Sequence, residues 1–146
     1  VFEDTVWLDL FAGTGAVGIE ALSRGARSVY FVESSKKAAS TIRDNLRSLG
    51  IREGFEVQER EVLRSLRLLD AEAVSCDYCF LDPPYSDHEA YSDTLSFLAT
   101  SRLIGPHSQV IAEHARHFDP GAQFGALQRF RLLEQGDAAL SFYRLG

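Results

Sequence analysis

The chain has 146 residues, 45% hydrophobic and 25% charged, and its 15 basic and 21 acidic residues give a net charge of −6. That composition excludes a disordered chain, and no apolar run is long enough to span a bilayer. The length suits one domain with a buried core. The acidic balance also argues against a surface built throughout to neutralise phosphate, although arginines at 43, 47, 52, 60, 64 and 67, and later at 116, 129 and 131, leave a local basic face open.

No signal-peptide pattern opens the chain. It contains no methionine, so Val1 is not expected to be a natural start, and a further N-terminal stretch is expected. Val6 to Phe11 reads as a buried strand. Ala16 to Ser23 reads as a helix that Gly25 ends. Ser28 to Val32, rich in β-branched and aromatic residues, is a second strand. Ser34 to Leu49 is a second helix, with Ser34 or Ser35 as N-cap, Gly50 beyond its end, and Ala38, Ile42, Leu46 and Leu49 as its apolar stripe.

Phe55 to Gln58 is a short third strand, followed by a helix over Val62 to Leu69. Ala73 to Leu81 contains the fourth strand. His88 to Ser101 is a helix with Tyr91, Leu95 and Leu98 on one face, and Gln109 to Glu113 is the fifth strand. Gln128 to Glu134 and Ala139 to Leu145 are joined by Gln135-Gly136-Asp137, a hairpin signal. Alternating strands and helices predict a mostly parallel sheet with helices on both faces and an antiparallel hairpin at its edge. Ligands bind such sheets beyond the carboxyl ends of the strands, so Gly13, Glu33 and Asp82 are expected on one rim.

Two runs carry chemistry. In the first, Asp9-x-Phe11-x-Gly13-x-Gly15 leaves a strand and opens a helix, and its glycines permit a tight turn and close approach of a ligand. The run is read as distinct from the Gly-x-Gly-x-x-Gly dinucleotide pattern, because Ala16 and Val17 stand before Gly18. Glu33 ends the next strand, where a carboxylate can accept both hydroxyls of a ribose. In the second, Asp82-Pro83-Pro84-Tyr85 follows the apolar Tyr78-Cys79-Phe80-Leu81. An exocyclic amine on a base is a poor nucleophile, since its lone pair is delocalised into the ring. Asp82 can accept one of its N–H bonds, the Pro83 carbonyl can offer a second acceptor, and Tyr85 can stack on the base, worth roughly 1–3 kcal/mol. A paired base must be flipped or already unpaired to reach such a pocket.

Other residues read more plainly. Cys76 and Cys79 lie three apart in a strand, hence on opposite faces, and are expected to be buried free thiols suited to a reducing cytoplasm. His114 and His117 read as solvated loop residues, and no third ligand converges with them, so no metal site is expected. Asp70, Glu72 and Glu59-Arg60-Glu61 read as solvated faces. Trp7 reads as core or edge packing.

Leu8 to Ala26, Val32-Glu33, Asn45-Leu46, Phe80 to Tyr85 and Tyr143-Arg144-Leu145 resemble the RsmD family of small-subunit rRNA guanine-N2 methyltransferases, along essentially the whole chain. The resemblance implies a Rossmann-like class I methyltransferase fold with a seven-stranded sheet, S-adenosylmethionine as cofactor, ribosomal RNA or the small subunit as partner, and a cytoplasmic location. It also implies that Asp9, Phe11, Gly13 and Gly15 surround the methionine part of the cofactor and that Glu33 holds the ribose. Glu61-Val62 stands where members carry Asp-Ala facing the adenine. With Ala12, Thr14, Ser34 and Asp82 these residues complete the expected cofactor set; Asp82, Pro83, Pro84 and Tyr85 form the catalytic set.

Family members begin with a basic segment containing Arg-Pro-Thr, which this sequence does not show, so weak RNA binding is expected. Alternatives are a DNA adenine-N6 or cytosine-N4 methyltransferase, a protein-glutamine methyltransferase, an NAD-binding domain and a non-catalytic cofactor-binding module. DNA enzymes usually add a sizeable target-recognition region, which is not seen here, and the motif of glutamine methyltransferases more often begins with Asn than Asp.

Overall fold

The computed structural model describes residues 2–146; Val1 lies outside the described residues. Eight strands and four helices follow one another in these residues: β1 (Val6–Leu10), α1 (Ala16–Ser23), β2 (Ser28–Val32), α2 (Lys36–Ser48), β3 (Phe55–Gln58), α3 (Val62–Ala71), β4 (Cys76–Leu81), α4 (His88–Thr100), β5 (Ile104–Ala115), β6 (Gln123–Phe124), β7 (Leu127–Gln135) and β8 (Ala138–Leu145). All eight strands form one sheet in the order β3-β2-β1-β4-β5-β8-β7-β6. The first five are parallel, and β5/β8, β8/β7 and β7/β6 are antiparallel.

β1 lies near the middle of the sheet and is buried along its whole length, which is why its sequence does not alternate. One face of the sheet carries Trp7, Val29 and Phe31, packed with Ala21 of α1 and Ile42 and Leu46 of α2. The other carries Leu8, Leu10, Cys79 and Leu81 against Leu66 and Leu69 of α3 and Tyr91, Leu95 and Leu98 of α4. Trp7 is core, as expected, and stacks on Tyr78 with ring centroids 4.6 Å apart.

Several expectations are corrected. The sheet has eight strands, not seven, because Gln123–Phe124 folds back on β7; two residues are too few to show an alternating pattern. β5 runs seven residues before and after the expected core of Gln109 to Glu113 taken together, from Ile104 to Ala115, with Gly105-Pro106 masking its start. The second helix begins at Lys36, and Ser35, not Ser34, caps it by accepting the Ala38 N–H at 3.2 Å. Ala39, not Ala38, is its buried alanine, and Leu49 lies past the helix, 61% exposed. Cys76 and Cys79 are free and buried, but both belong to the same core cluster. A register shift between Cys76 and Tyr78 breaks the alternation that would have separated them.

His114 is in β5 and buried, with Nε2 2.8 Å from the Ser141 hydroxyl, and is not a solvated loop residue. His117 is exposed in the following turn. Asp70 accepts from the Ser101 hydroxyl and the Arg102 N–H at 2.7 and 2.9 Å, so it ties α3 to the start of β5 instead of facing only water.

Candidate active site

The parallel register brings the motif residues together. Leu10 pairs with Val32 on one side and Leu81 on the other, so Phe11, Glu33 and Asp82 leave their strands on one rim. Phe11 is not the last residue of β1: it turns out of the strand with φ 57°, a conformation few side chains adopt. Gly13 and Gly15 follow at φ 59° and 81°. A Cβ on Gly13 would meet nothing within 4 Å, so that glycine faces open space on the cleft side.

Gly13, Gly15 and Gly18 do satisfy the Gly-x-Gly-x-x-Gly spacing. The distinction drawn from Ala16 and Val17 does not hold, since these are the free positions of the pattern. The third glycine serves packing: a Cβ on Gly18 would stand 2.4 Å from the Phe31 ring, so only glycine lets α1 rest on β2.

The loop is fixed from three directions. Glu33 accepts the Gly13 N–H through one carboxylate oxygen at 2.8 Å and the Ser35 N–H through the other at 2.9 Å. Asn45 of α2 donates to the Thr14 carbonyl at 3.0 Å. Asp9, only 2% exposed, accepts the Gly18 N–H at 3.0 Å beneath the loop. Burial pushes the Asp9 carboxyl up to about 7 against the pull of that hydrogen bond, with smaller contributions from Asp82 and Glu33.

A cleft of about 540 Å³ runs along the rim, lined by Phe11, Gly13, Glu33 and Ser34 on one side and by Asp82, Pro83, Pro84, Tyr85 and Asp87 on the other. A second hollow of about 280 Å³ adjoins it across Phe11 and is walled by Glu61, Val62 and Leu63. Of the expected site residues, Asp9, Ala12, Thr14 and Gly15 do not line either hollow. Ala12 packs in the core, and Gly15 would press a Cβ against Ile42 and Phe31 at 3.2 and 3.3 Å. These residues shape the loop from behind.

The Asp82 side is built differently. Its backbone N–H reaches the Leu10 carbonyl at 3.4 Å, but among the described residues no donor reaches its carboxyl or the Pro83 carbonyl. Burial, then the charge of Glu113, raises the Asp82 carboxyl to about 6. Pro83 is buried, Pro84 accepts the Asp87 N–H at 2.9 Å, and Tyr85 is 43% exposed. Tyr85 also borders a further hollow with Arg116, His117 and Glu134.

Sequence reasoning assigned no role to Asp87 or Glu113, and met Asn45 only as part of the family resemblance. Asp87 caps α4 by accepting the Ala90 N–H at 3.2 Å, and its place before His88 was a usable signal. Asn45 and Glu113 carry no local signal: each reaches the rim through tertiary packing. Among the described residues no group of three or more His, Cys, Asp and Glu could hold a metal ion, and no helix is long and apolar enough to cross a membrane.

A parallel sheet that closes on an antiparallel hairpin, with a glycine loop and an acidic strand end meeting an Asp-Pro-Pro-Tyr turn, defines a class I methyltransferase, an enzyme class that draws its methyl group from S-adenosylmethionine. The model of the family described as conserved hypothetical protein 95 matches residues 1–144, and the chain belongs to that family, as the RsmD resemblance anticipates.

Ribosomal RNA small subunit methyltransferase D of Haemophilus influenzae is 35% identical over 107 residues, covering 73% of this chain and 54% of that protein. YlbH of Bacillus subtilis, a candidate rRNA methyltransferase, is 31% identical over 137 residues, covering 94% and 74%. A solved conserved hypothetical protein of Streptococcus pyogenes superposes with a TM-score of 0.88 at 29% identity, covering 99% of this chain and 88% of its own. The chain thus spans between about half and nine-tenths of the length of these proteins.

Proposed function

We propose that the chain transfers a methyl group from S-adenosylmethionine to the exocyclic N2 amine of a guanine in small-subunit ribosomal RNA. The observation that carries this reading is the Asp82 carboxyl, set on the sheet rim beside an exposed tyrosine with no donor among the described residues to satisfy it. An acceptor left open at that place suits an incoming N–H group. The choice of ribosomal RNA draws on the Haemophilus influenzae relative named for small-subunit methylation.

The residues fit the cofactor. Glu33 uses one lone pair on each oxygen for backbone N–H groups, and a carboxylate offers about four such sites, so two ribose hydroxyls can still be accepted. The open space at Gly13 lets the methionine part approach the backbone. Phe11, Glu61 and Val62 wall the hollow assigned to adenine, and Ser34 lines the cleft at the ribose end. Bound there, S-adenosylmethionine supplies a methyl group on a positively charged sulfur, already a strong electrophile.

The protein then has to hold the amine in line. In this reading Asp82 and the Pro83 carbonyl each accept an N–H of the amine, which favours a more tetrahedral nitrogen with an available lone pair. Tyr85 stacks on the base, and Pro84 stiffens the turn that carries it. Positioning of this kind contributes on the order of 7–11 kcal/mol in favourable cases. Ionised Asp82 is the stronger acceptor and carries no competing O–H, so transfer should rise with pH through about 6. Residues 1–146 are read as a single methyltransferase domain acting in the cytoplasm, and the continuous sheet supports the domain reading.

The test is transfer of labelled methyl from S-adenosylmethionine to undermethylated small ribosomal subunits, followed by nucleoside mapping. Label recovered as N2-methylguanosine is expected. Label in adenosine or cytidine, or none on any RNA, would overturn the proposal.

A further inference from the structure

Glu113 stands beside Asp82 and has no assigned role. Leu81 of β4 pairs with Ala112 of β5, so Asp82 and Glu113 are lateral neighbours one residue further along. Val110, Ala112 and His114 are buried on the α4 side of β5, and the intervening Glu113 is directed to the opposite side and is only partly buried. Its backbone is pinned from the α4 side, where the Tyr91 hydroxyl donates to the Glu113 carbonyl at 2.7 Å. Its carboxylate has no hydrogen-bond or ion-pair partner among the described residues. Its charge reaches both groups of the catalytic turn: after burial, it is the leading influence that raises Asp82 and also Tyr85. Two open carboxylates therefore flank one point on the rim, and nothing in the fold requires the second.

We propose that Glu113 selects guanine by accepting the ring N1–H while Asp82 accepts an N–H of the N2 amine. This rests on the methyl-transfer reading above and deepens it. A base held out of its stack is read along its Watson–Crick edge. On that edge guanine offers two adjacent donor groups, N1–H and the N2 amine. Adenine and cytosine pair their amine with a ring nitrogen that only accepts, and uracil has no amine. A pair of carboxylates accepts at both places, so it fits guanine and confronts a lone pair with a negative charge on adenine or cytosine. Sites built to bond a particular hydrogen discriminate strongly against analogues that lack it. Glu113 acts in this assignment as a specificity residue in contact with the base.

The experiment uses small subunits reconstituted with either guanine or 2-aminopurine at the methylated position. 2-Aminopurine keeps the N2 amine but has a bare N1. The wild-type chain is expected to favour guanine by at least about 100-fold in kcat/KM. Glu113→Gln replaces one acceptor oxygen by an N–H donor that suits a bare N1. It should lower that preference at least tenfold while leaving S-adenosylhomocysteine affinity unchanged. Glu113→Asp should keep the preference at a reduced rate.

Wild-type enzyme that uses 2-aminopurine as well as guanine would overturn the assignment without recourse to any variant. So would a Glu113→Gln variant that loses both substrates equally, which is the signature of a purely structural role. Absence of transfer to guanine by the wild type would instead defeat the underlying reading, and the assignment with it.

Discussion

The two halves of the rim are finished to different degrees. On the β1–β2 side, the Glu33 carboxylate is held by the Gly13 and Ser35 N–H groups, Asn45 secures Thr14, and Asp9 secures Gly18. On the β4–β5 side, no donor among the described residues reaches the Asp82 or Glu113 carboxylate, and Tyr85 is exposed. The first half satisfies itself, which fixes its shape before a ligand arrives and lowers the ordering cost of binding. The second half keeps acceptors unsatisfied, an arrangement that costs stability and persists where a substrate will satisfy them. Under the proposed function, the first half would hold the cofactor and the second would present the nucleophile.

If that division holds, variants on the two sides fail differently. Asp82→Ala should produce the largest effect, a loss of methyl transfer of roughly 10²- to 10⁴-fold, with S-adenosylhomocysteine affinity within a few-fold of wild type. Single-turnover transfer and isothermal titration on the same preparation check the two halves of the claim. Near-full turnover would remove Asp82 from the mechanism.

Glu33→Ala should show the reverse. It loses at least one charge-assisted bond worth about 1.5–3 kcal/mol, so S-adenosylhomocysteine should bind at least roughly 10- to 100-fold more weakly. For the wild type, that ligand at 100 times its Kd should add about 2.7 kcal/mol of stability, and the variant should show a correspondingly smaller rise in Tm. Equal affinity would show that the carboxylate only ties the loop.

Asp9→Asn tests the anchor beneath the loop through pH. The folded-state value of about 7 lies above the ordinary 3.8, so the folded protein retains a proton that the unfolded chain has released. The associated stability is fully present below about 4 and is lost as pH rises through about 7. Asparagine can still accept the Gly18 N–H without ionising. The variant should therefore flatten the decline in stability over that window, gaining up to a few kcal/mol near neutral pH, on the order of 1.4 kcal/mol per pH unit removed. Denaturant unfolding at several pH values reads this directly, and parallel curves for the two proteins would refute it.

Gly18→Ala should have a more modest effect, costing about 1–3 kcal/mol of stability, because its methyl group meets the Phe31 ring at 2.4 Å. The loss should appear in Tm. Once the protein is folded, the Asp82 side should behave as in the wild type, since Phe31 lies on the opposite flank of the sheet.

The sequence alone determined the order of elements and most of their bounds, because buried central strands, helical stripes and glycine stops are local signals. Ala16–Ser23, Ser28–Val32 and Phe55–Gln58 were legible to the residue. It also determined that Gly13, Glu33 and Asp82 meet, since a parallel sheet has a single carboxyl rim. Tertiary structure decided what each residue does there. The family resemblance implies that Asp9 stands near the cofactor, and the fold places it buried beneath the loop and bonded to Gly18. His114 reads as a loop residue but lies within β5, buried beside Tyr91 of α4 and bonded to Ser141 of β8, because pairing with β8 extends the strand beyond its apolar run. The shared cluster of Cys76 and Cys79 depends on a register shift that no periodicity encodes. Glu113 gains its place only because β5 lies beside β4, and neighbours across a sheet are set by chain topology, which leaves no trace in the residues on either side.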